Sequence, residues 1–300
     1  MKRKLLGNSS LQVSEIALGC MSLPNNEKEA KAIVDEALDG GINYFDTADL
    51  YGKGMNEEIV GRALGKRRKD IILATKVGNQ WQQGSDEVKW NPSKSYIEAQ
   101  VHESLKRLDT DWIDLYQLHG GMITDSAEEA IEAFESLKQE GLIREYGISS
   151  IRPNVINRFL DNSDVVSVMM QYSLLDRRPE EFLDRIGDAG RSVVTRGTFA
   201  KGLLTTDGLA RAKNHDGYLD YDSTELEKVL TELLAIEGNL NALAIRSVLQ
   251  HDAVASVVAG ASSADQIRDT VAAYHTAVSN EQIDNAKQIT KQSKYTQHRD

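Results

Sequence analysis

The chain is 300 residues long and carries 35 Lys+Arg against 46 Asp+Glu, a formal net charge of −11. That balance repels phosphate backbones and anionic bilayers, which excludes nucleic acid and membrane as expected partners and leaves a small molecule. The length suits one α/β barrel, so a single domain over residues 1–300 is expected.

The stretch Met1-Lys2-Arg3-Lys4-Leu5-Leu6-Gly7-Asn8 is basic but turns polar at once, without the apolar run of a signal peptide. No later run is long enough to span a bilayer, so a cytoplasmic protein is expected, with a monomer favoured. Cys20 is the only cysteine, which excludes an internal disulfide and any multi-cysteine metal site; it reads as a small buried side chain.

Leu5 to Val13, with its Gly7-Asn8-Ser9-Ser10 turn, predicts a short β-hairpin ahead of the main pattern. Ile16-Ala17-Leu18-Gly19 is a buried strand, and Lys28 to Asp39 has helical spacing stopped by Gly40-Gly41. The same unit then recurs: strand 43–46, helix 56–64, strand 71–76, helix 93–108, strand 113–119, helix 126–140. Ser126 and Glu129 have capping-box spacing, with Gly141 just past the helix end. Next come strand 145–149, a helix opened by Pro153, strand 165–171, helix 180–188 and strand 192–196. A long polar loop runs to Asp222, followed by helices 225–236 and 240–250 and a last strand, 255–259. Helices 264–273 and 281–291 open on Ser-x-x-Gln boxes at Ser263 and Ser279, and the polar tail from Gln292 is expected to fray.

Eight short apolar strands, each followed by a helix, predict a closed (β/α)8 TIM barrel with an N-terminal hairpin and extra C-terminal helices. An open doubly wound sheet is the rival. In a barrel, strand carboxyl ends converge on one face, where chemistry is done. Asp46, Lys76 and His119 end strands two, three and four, and Tyr51 sits in the turn after strand two. A phenol is a poor acid at neutral pH unless its phenolate is stabilised, which a lysine ammonium can do. At ~4 Å and an effective dielectric of ~20 that interaction is worth about 4 kcal/mol before desolvation. Asp46 then pairs with Lys76 to keep it charged and aimed, and His119 hydrogen-bonds the oxygen of a bound carbonyl. Each of these residues alone has a duller role: a strand cap, a solvated charge, a packed tyrosine, a structural histidine. There is no His-x-His pair, and no close His/Asp/Glu set beyond Asp46 and Asp49, to support a metal.

The chain resembles the aldo-keto reductases over nearly its whole length. The motifs are Gly41-Ile42-Asn43-Tyr44-Phe45-Asp46-Thr47-Ala48 with Tyr51-Gly52, Glu57-Glu58-Ile59-Val60-Gly61, Ala74-Thr75-Lys76, Ser104-Leu105-Lys106-Arg107-Leu108 with Tyr116 and His119, Gly141-Leu142-Ile143-Arg144 with Gly147-Ile148-Ser149, and Gly202-Leu203-Leu204. It looks most like the bacterial general-stress and inositol-linked branch. The resemblance implies hydride transfer from NADPH, or NADH, to a small aldehyde or ketone, with Tyr51 as general acid, Lys76 and Asp46 supporting it and His119 positioning the carbonyl. It also implies cofactor contacts from Cys20, Met21, Asp46, Ser149, Ser150 and Gln171. Arg196 would lie at the nicotinamide, and the pyrophosphate under the loop of Gly197, Thr198, Phe199, Lys201 and Gly202. The adenosine phosphate would lie at Gly260, Ser262, Ser263, Gln266 and Asp269, at a helix amino terminus.

Three positions depart from the family's habit. Ser150 stands where Asn is common, Arg196 where an aromatic residue stacks on nicotinamide, and Ser263 where a basic residue often meets a 2′-phosphate. These departures motivate an alternative, a low-turnover nucleotide-sensing or interaction protein on the same barrel. Gly52-Lys53-Gly54 reads as a tight turn rather than a dinucleotide fingerprint. Trp81 and Trp90, in the long loop after strand three, are candidates to line the substrate pocket.

Overall fold

Eight parallel strands close into a barrel in the computed structural model, which describes residues 1–82 and 84–299. They are β1 (Ile16–Gly19), β2 (Tyr44–Asp46), β3 (Ile72–Val77), β4 (Ile113–Leu118), β5 (Ile143–Ser149), β6 (Ser167–Gln171), β7 (Ser192–Arg196) and β8 (Val254–Gly260). Each is hydrogen-bonded to its neighbour in sequence, and β8 returns to β1 through Val257 opposite Ile16 and Gly260 opposite Gly19. The doubly wound alternative is thereby excluded. Strands with every residue buried, such as β4, are tolerable because one face meets the helices and the other the barrel interior.

The hairpin of Arg3–Leu5 and Gln12–Ser14 plugs the amino-terminal end of the barrel. Its Leu6, Leu11 and Val13 join Ala17, Tyr44, Ala74, Leu115, Met169 and Val194 in one buried interior cluster. A larger apolar layer fills the space between strands and helices. Helix–helix approach can be very close: a Cβ added to Gly61, in helix Met55–Leu64, would sit 2.6 Å from the carbonyl oxygen of Leu108. Only glycine lets helix Lys94–Leu108 end there, which gives that motif position a packing role.

Most element boundaries fall within two residues of the sequence expectation, and helix 180–188 and strand 192–196 match it residue for residue. Capping is as expected at Ser279, where both halves of the box form. At Ser263 only half forms: its hydroxyl accepts from Gln266 N at 3.3 Å, while the Gln266 amide oxygen accepts from Ser262 N at 2.8 Å.

Three stretches differ from expectation. The loop after β3 contains a hairpin, Asn79–Trp81 paired with Val88–Trp90, whose strands are too short to register as alternation. The long loop to Asp222 holds a helix, Gly208–Ala212, and a two-residue hairpin at 217–218 and 221–222. Its Leu203, Leu204, Ala212, Tyr218 and Tyr221 pack with Leu226, Leu230 and Leu243 as a second core. The tail from Gln292 does not fray: Tyr295 is buried beneath the Arg178 guanidinium, 5.0 Å from the ring centre. Glu181 accepts from Tyr295 N at 3.2 Å and pairs with Arg299 at 3.0 Å, fastening the tail across the barrel mouth.

Candidate active site

Strand register brings the four predicted groups to one place. Asp46 closes β2, Lys76 is the penultimate residue of β3, His119 follows β4, and Tyr51 lies in the turn after β2. Lys76 Nζ donates to Asp46 Oδ2 at 2.6 Å and to the Thr47 carbonyl at 2.7 Å. It is 1% exposed, so the ammonium is held by these partners rather than by water. Burial pulls the Lys76 value down, but Asp46 and the Tyr51 hydroxyl outweigh it and hold it above the ordinary lysine range. Gln117 Nε2 donates to Asp46 Oδ1 at 3.3 Å, fixing the other carboxylate oxygen. Gln117 escaped the sequence reading, although it shares a strand face with His119 two residues on.

Lys76 Nζ lies 5.3 Å from the centre of the Tyr51 ring. The same ring meets His119 edge to face, with centroids 5.9 Å apart at 87°. Burial, then the charges of Lys76 and Arg196, push His119 down to about 3. Its imidazole is therefore neutral at working pH, and its Nδ1 is buried with no partner among the described residues. Because the unfolded value is 6.5, stability from this burial is present above that pH. It is lost as pH falls from 6.5 toward 3, where the unfolded chain takes up the proton first. The His119 backbone is fixed by Val77 O, 2.8 Å from its N, and by Asn79 Nδ2, 3.2 Å from its O.

His119 opens into a cavity of about 770 Å3 at the carboxyl ends of the strands. Ser149, Ser150 and Arg196 line it, as does Trp90. Trp81 does not; it packs against Gly54 and lies 5.8 Å under the Arg107 guanidinium. Gly120 is thin for a reason, since a Cβ there would meet the Trp90 ring at 3.2 Å.

The remaining expected cofactor residues fall in four groups. Cys20 is fully buried, its thiol pushed up by burial and its carbonyl accepting from Asn56 Nδ2 at 2.8 Å, while Met21 is 63% exposed. The Gln171 amide is engaged on both sides, by Arg196 at 3.2 Å and by the Tyr218 hydroxyl at 3.3 Å. Thr198 is buried and bonded to Thr195 and Tyr172 O, which shapes the loop of Gly197, Phe199, Lys201 and Gly202 rather than presenting a hydroxyl to a ligand. Gly260, Ser262, Gln266 and Asp269 lie exposed around the amino terminus of helix Ala264–His275, capped by Ser263. The donor set suits a nicotinamide dinucleotide: a polar cavity beside an imidazole nitrogen without a partner among the described residues and, apart from that cavity, the exposed Ser262 at a helix amino terminus.

Behind the site, Glu57 is fully buried. It accepts from Thr75 Oγ1 at 2.6 Å and Arg107 Nε at 2.7 Å, anchoring the strand that carries Lys76. This accounts for the Glu57 and Arg107 motif positions structurally. Glu57→Ala is expected to destabilise the fold by about 3–5 kcal/mol by leaving a largely buried guanidinium unpaired. Denaturant unfolding checks it, and an unchanged midpoint contradicts it.

Known proteins resemble this chain over its length. The Aldo/keto reductase family model matches residues 15–291. The "Uncharacterized oxidoreductase YqkF" of Bacillus subtilis is 51% identical, with 100% of each chain covered. Among solved structures, "aldo-keto reductase AKR11C1 from Bacillus halodurans (holo form)" superposes with a TM-score of 0.96 at 53% identity, each chain covered in full. Its apo form gives 0.88 at 50% identity, again with full coverage of both. With a motif-bearing barrel, a lysine–carboxylate pair at its mouth and relatives of this similarity, the chain belongs to the aldo/keto reductase family and is an oxidoreductase of small carbonyl compounds that works with a nicotinamide cofactor.

Proposed function

We propose that the protein reduces aldehydes or ketones to alcohols with NADPH, using Tyr51 as the proton donor. The observation that carries this is the buried Lys76 ammonium, held by Asp46 at 2.6 Å and facing the Tyr51 ring. The cofactor, when bound, supplies a hydride to the carbonyl carbon. The substrate oxygen lies between the Tyr51 hydroxyl and neutral His119, whose ring donates a hydrogen bond to it. As negative charge grows on that oxygen, Tyr51 gives up its proton, and the adjacent ammonium stabilises the phenolate left behind. Gln117 and Thr47 keep Asp46 and Lys76 from rotating during the transfer. Consumption of NADPH in the presence of simple aldehydes, with alcohol formed in equal amount, tests the reading; no oxidation across an aldehyde panel would favour the nucleotide-sensing alternative.

The preference for NADPH rests on the adenosine end. Arg268 is the basic residue of that helix turn and is paired with Glu36 and Asp265. To meet a 2′-phosphate it exchanges these carboxylates for the phosphate, beside the Ser262 and Ser263 hydroxyls. Arg268→Ala is therefore expected to raise KM for NADPH roughly ten-fold and leave KM for NADH unchanged. Parallel saturation curves decide it, and equal shifts for both nucleotides reject the assignment.

A further inference from the structure

The cavity at the barrel mouth is oppositely charged to the molecule that contains it. The chain carries −11 overall, yet Arg152, Arg178, Arg196 and Lys294 line the cavity against one acid, Asp220. Asp220 is already engaged, accepting from Ser293 Oγ at 2.5 Å. Arg178 is neutralised by Asp176, with two contacts of 2.7 Å. Among the described residues, Arg152, Arg196 and Lys294 have no carboxylate within ion-pair distance.

Arg152 is the best placed of the three. It follows β5, and its Nη1 donates to the carbonyl of Gly121, two residues beyond His119. That bond uses one of five guanidinium donors and fixes the group beside the reacting end of the cavity. Lys294 lines the same cavity from the tail, held between the Ser293–Asp220 bond and buried Tyr295. Arg196 lies toward the expected nicotinamide position, and the expected dinucleotide phosphates lie along 197–202 and 260–269. Arg152 is thus left without an anion, and Lys294 feels only the longer-range attraction of Glu181, which is already paired with Arg299.

We propose that Arg152 and Lys294 form a subsite for an anionic oxygen group, a carboxylate or phosphate, at the far end of the carbonyl substrate. The proposal rests on the reductase reading above and names its substrate class. A planar guanidinium beside a mobile ammonium suits either oxyanion: the first grips side-on, the second adds charge. The surrounding positive potential draws such substrates toward an otherwise repelling surface, so the advantage shrinks as salt rises.

The test compares aldehydes of equal length ending in a carboxylate, a phosphate ester or a neutral amide, with saturating NADPH. Expected are kcat/KM values for one or both anionic substrates at least roughly ten-fold above the neutral one, carried by KM. The larger of the two anionic values identifies the preferred oxyanion. Arg152→Met collapses the anionic-to-neutral ratio through KM, Arg152→Lys restores part of it, and Lys294→Gln lowers it by a smaller factor. Arg185→Met removes the same charge on the outer wall, where Arg185 pairs with Asp161, and leaves the ratio as it was. Reduction of the neutral aldehyde at equal or better efficiency, or a ratio that Arg152→Met does not move, overturns the subsite and leaves the reductase standing. No reduction of any of the three overturns both.

Discussion

Tyr51→Phe is expected to lower kcat/KM by roughly 10²–10⁴-fold at neutral pH, the range general acid catalysis contributes, while the dissociation constant for the cofactor stays unchanged. The substitution removes one oxygen and keeps the ring, so the edge-to-face contact with His119 at 5.9 Å survives. The loss therefore reads proton donation rather than a collapsed site. Expressed as a barrier it is about 3–5 kcal/mol. Stopped-flow reduction with a bound-cofactor fluorescence control separates the two quantities. Turnover comparable to the parent would remove Tyr51 from the mechanism and move the donor role to another group.

Lys76→Met should harm both catalysis and stability. It strips the ammonium from Asp46, a carboxylate that is 4% exposed and, among the described residues, otherwise bonded only to Gln117. Removing one partner of a buried pair costs about 3–5 kcal/mol, because the remaining charge is neither solvated nor matched. Burial already raises Asp46 from its ordinary value, with Lys76 as the main opposing influence. Without Lys76 the carboxyl binds a proton more readily, so the stability deficit relative to the parent shrinks as pH falls and grows as pH rises. The double variant Asp46→Asn with Lys76→Met is expected to regain much of the stability and none of the activity. Thermal unfolding across pH, with activity assayed alongside, checks both parts. A deficit independent of pH would mean that the pair is not what holds this region.

How far the sequence revealed this depends on where information is stored in the chain. Asp46, Lys76 and His119 were legible because a buried parallel strand is an apolar run, and a polar residue at its carboxyl end stands out in a barrel. Their supports were less so. Gln117 lies mid-run with no signature beyond its alternation with His119, and the Glu57–Arg107 pair joins two helices 50 residues apart. The C-terminal tail reads as polar, yet Tyr295 and Arg299 find partners on helix 180–188, contacts that local pattern cannot anticipate. The loop to Asp222 misled for a related reason: its apolar residues are spaced irregularly, matching neither helix nor strand period, and order only by packing on distant helices. Trp81 and Trp90 were equivalent in sequence, and a three-residue hairpin separates them into one buttress and one wall.

The second apolar cluster gives the molecule a seam. Leu203, Leu204 and their neighbours adhere to helices 223–236, 240–249 and 280–289, with Phe199 and Val278 touching the larger core as well, while the same segment carries the bend at Gly197 to Gly202. Regions that hold together separately can come loose separately. On gentle warming this flank should peel first, so the protein would stop gripping its dinucleotide while circular dichroism still reported an intact barrel, and a protease would find its earliest cut between Thr205 and Asp216.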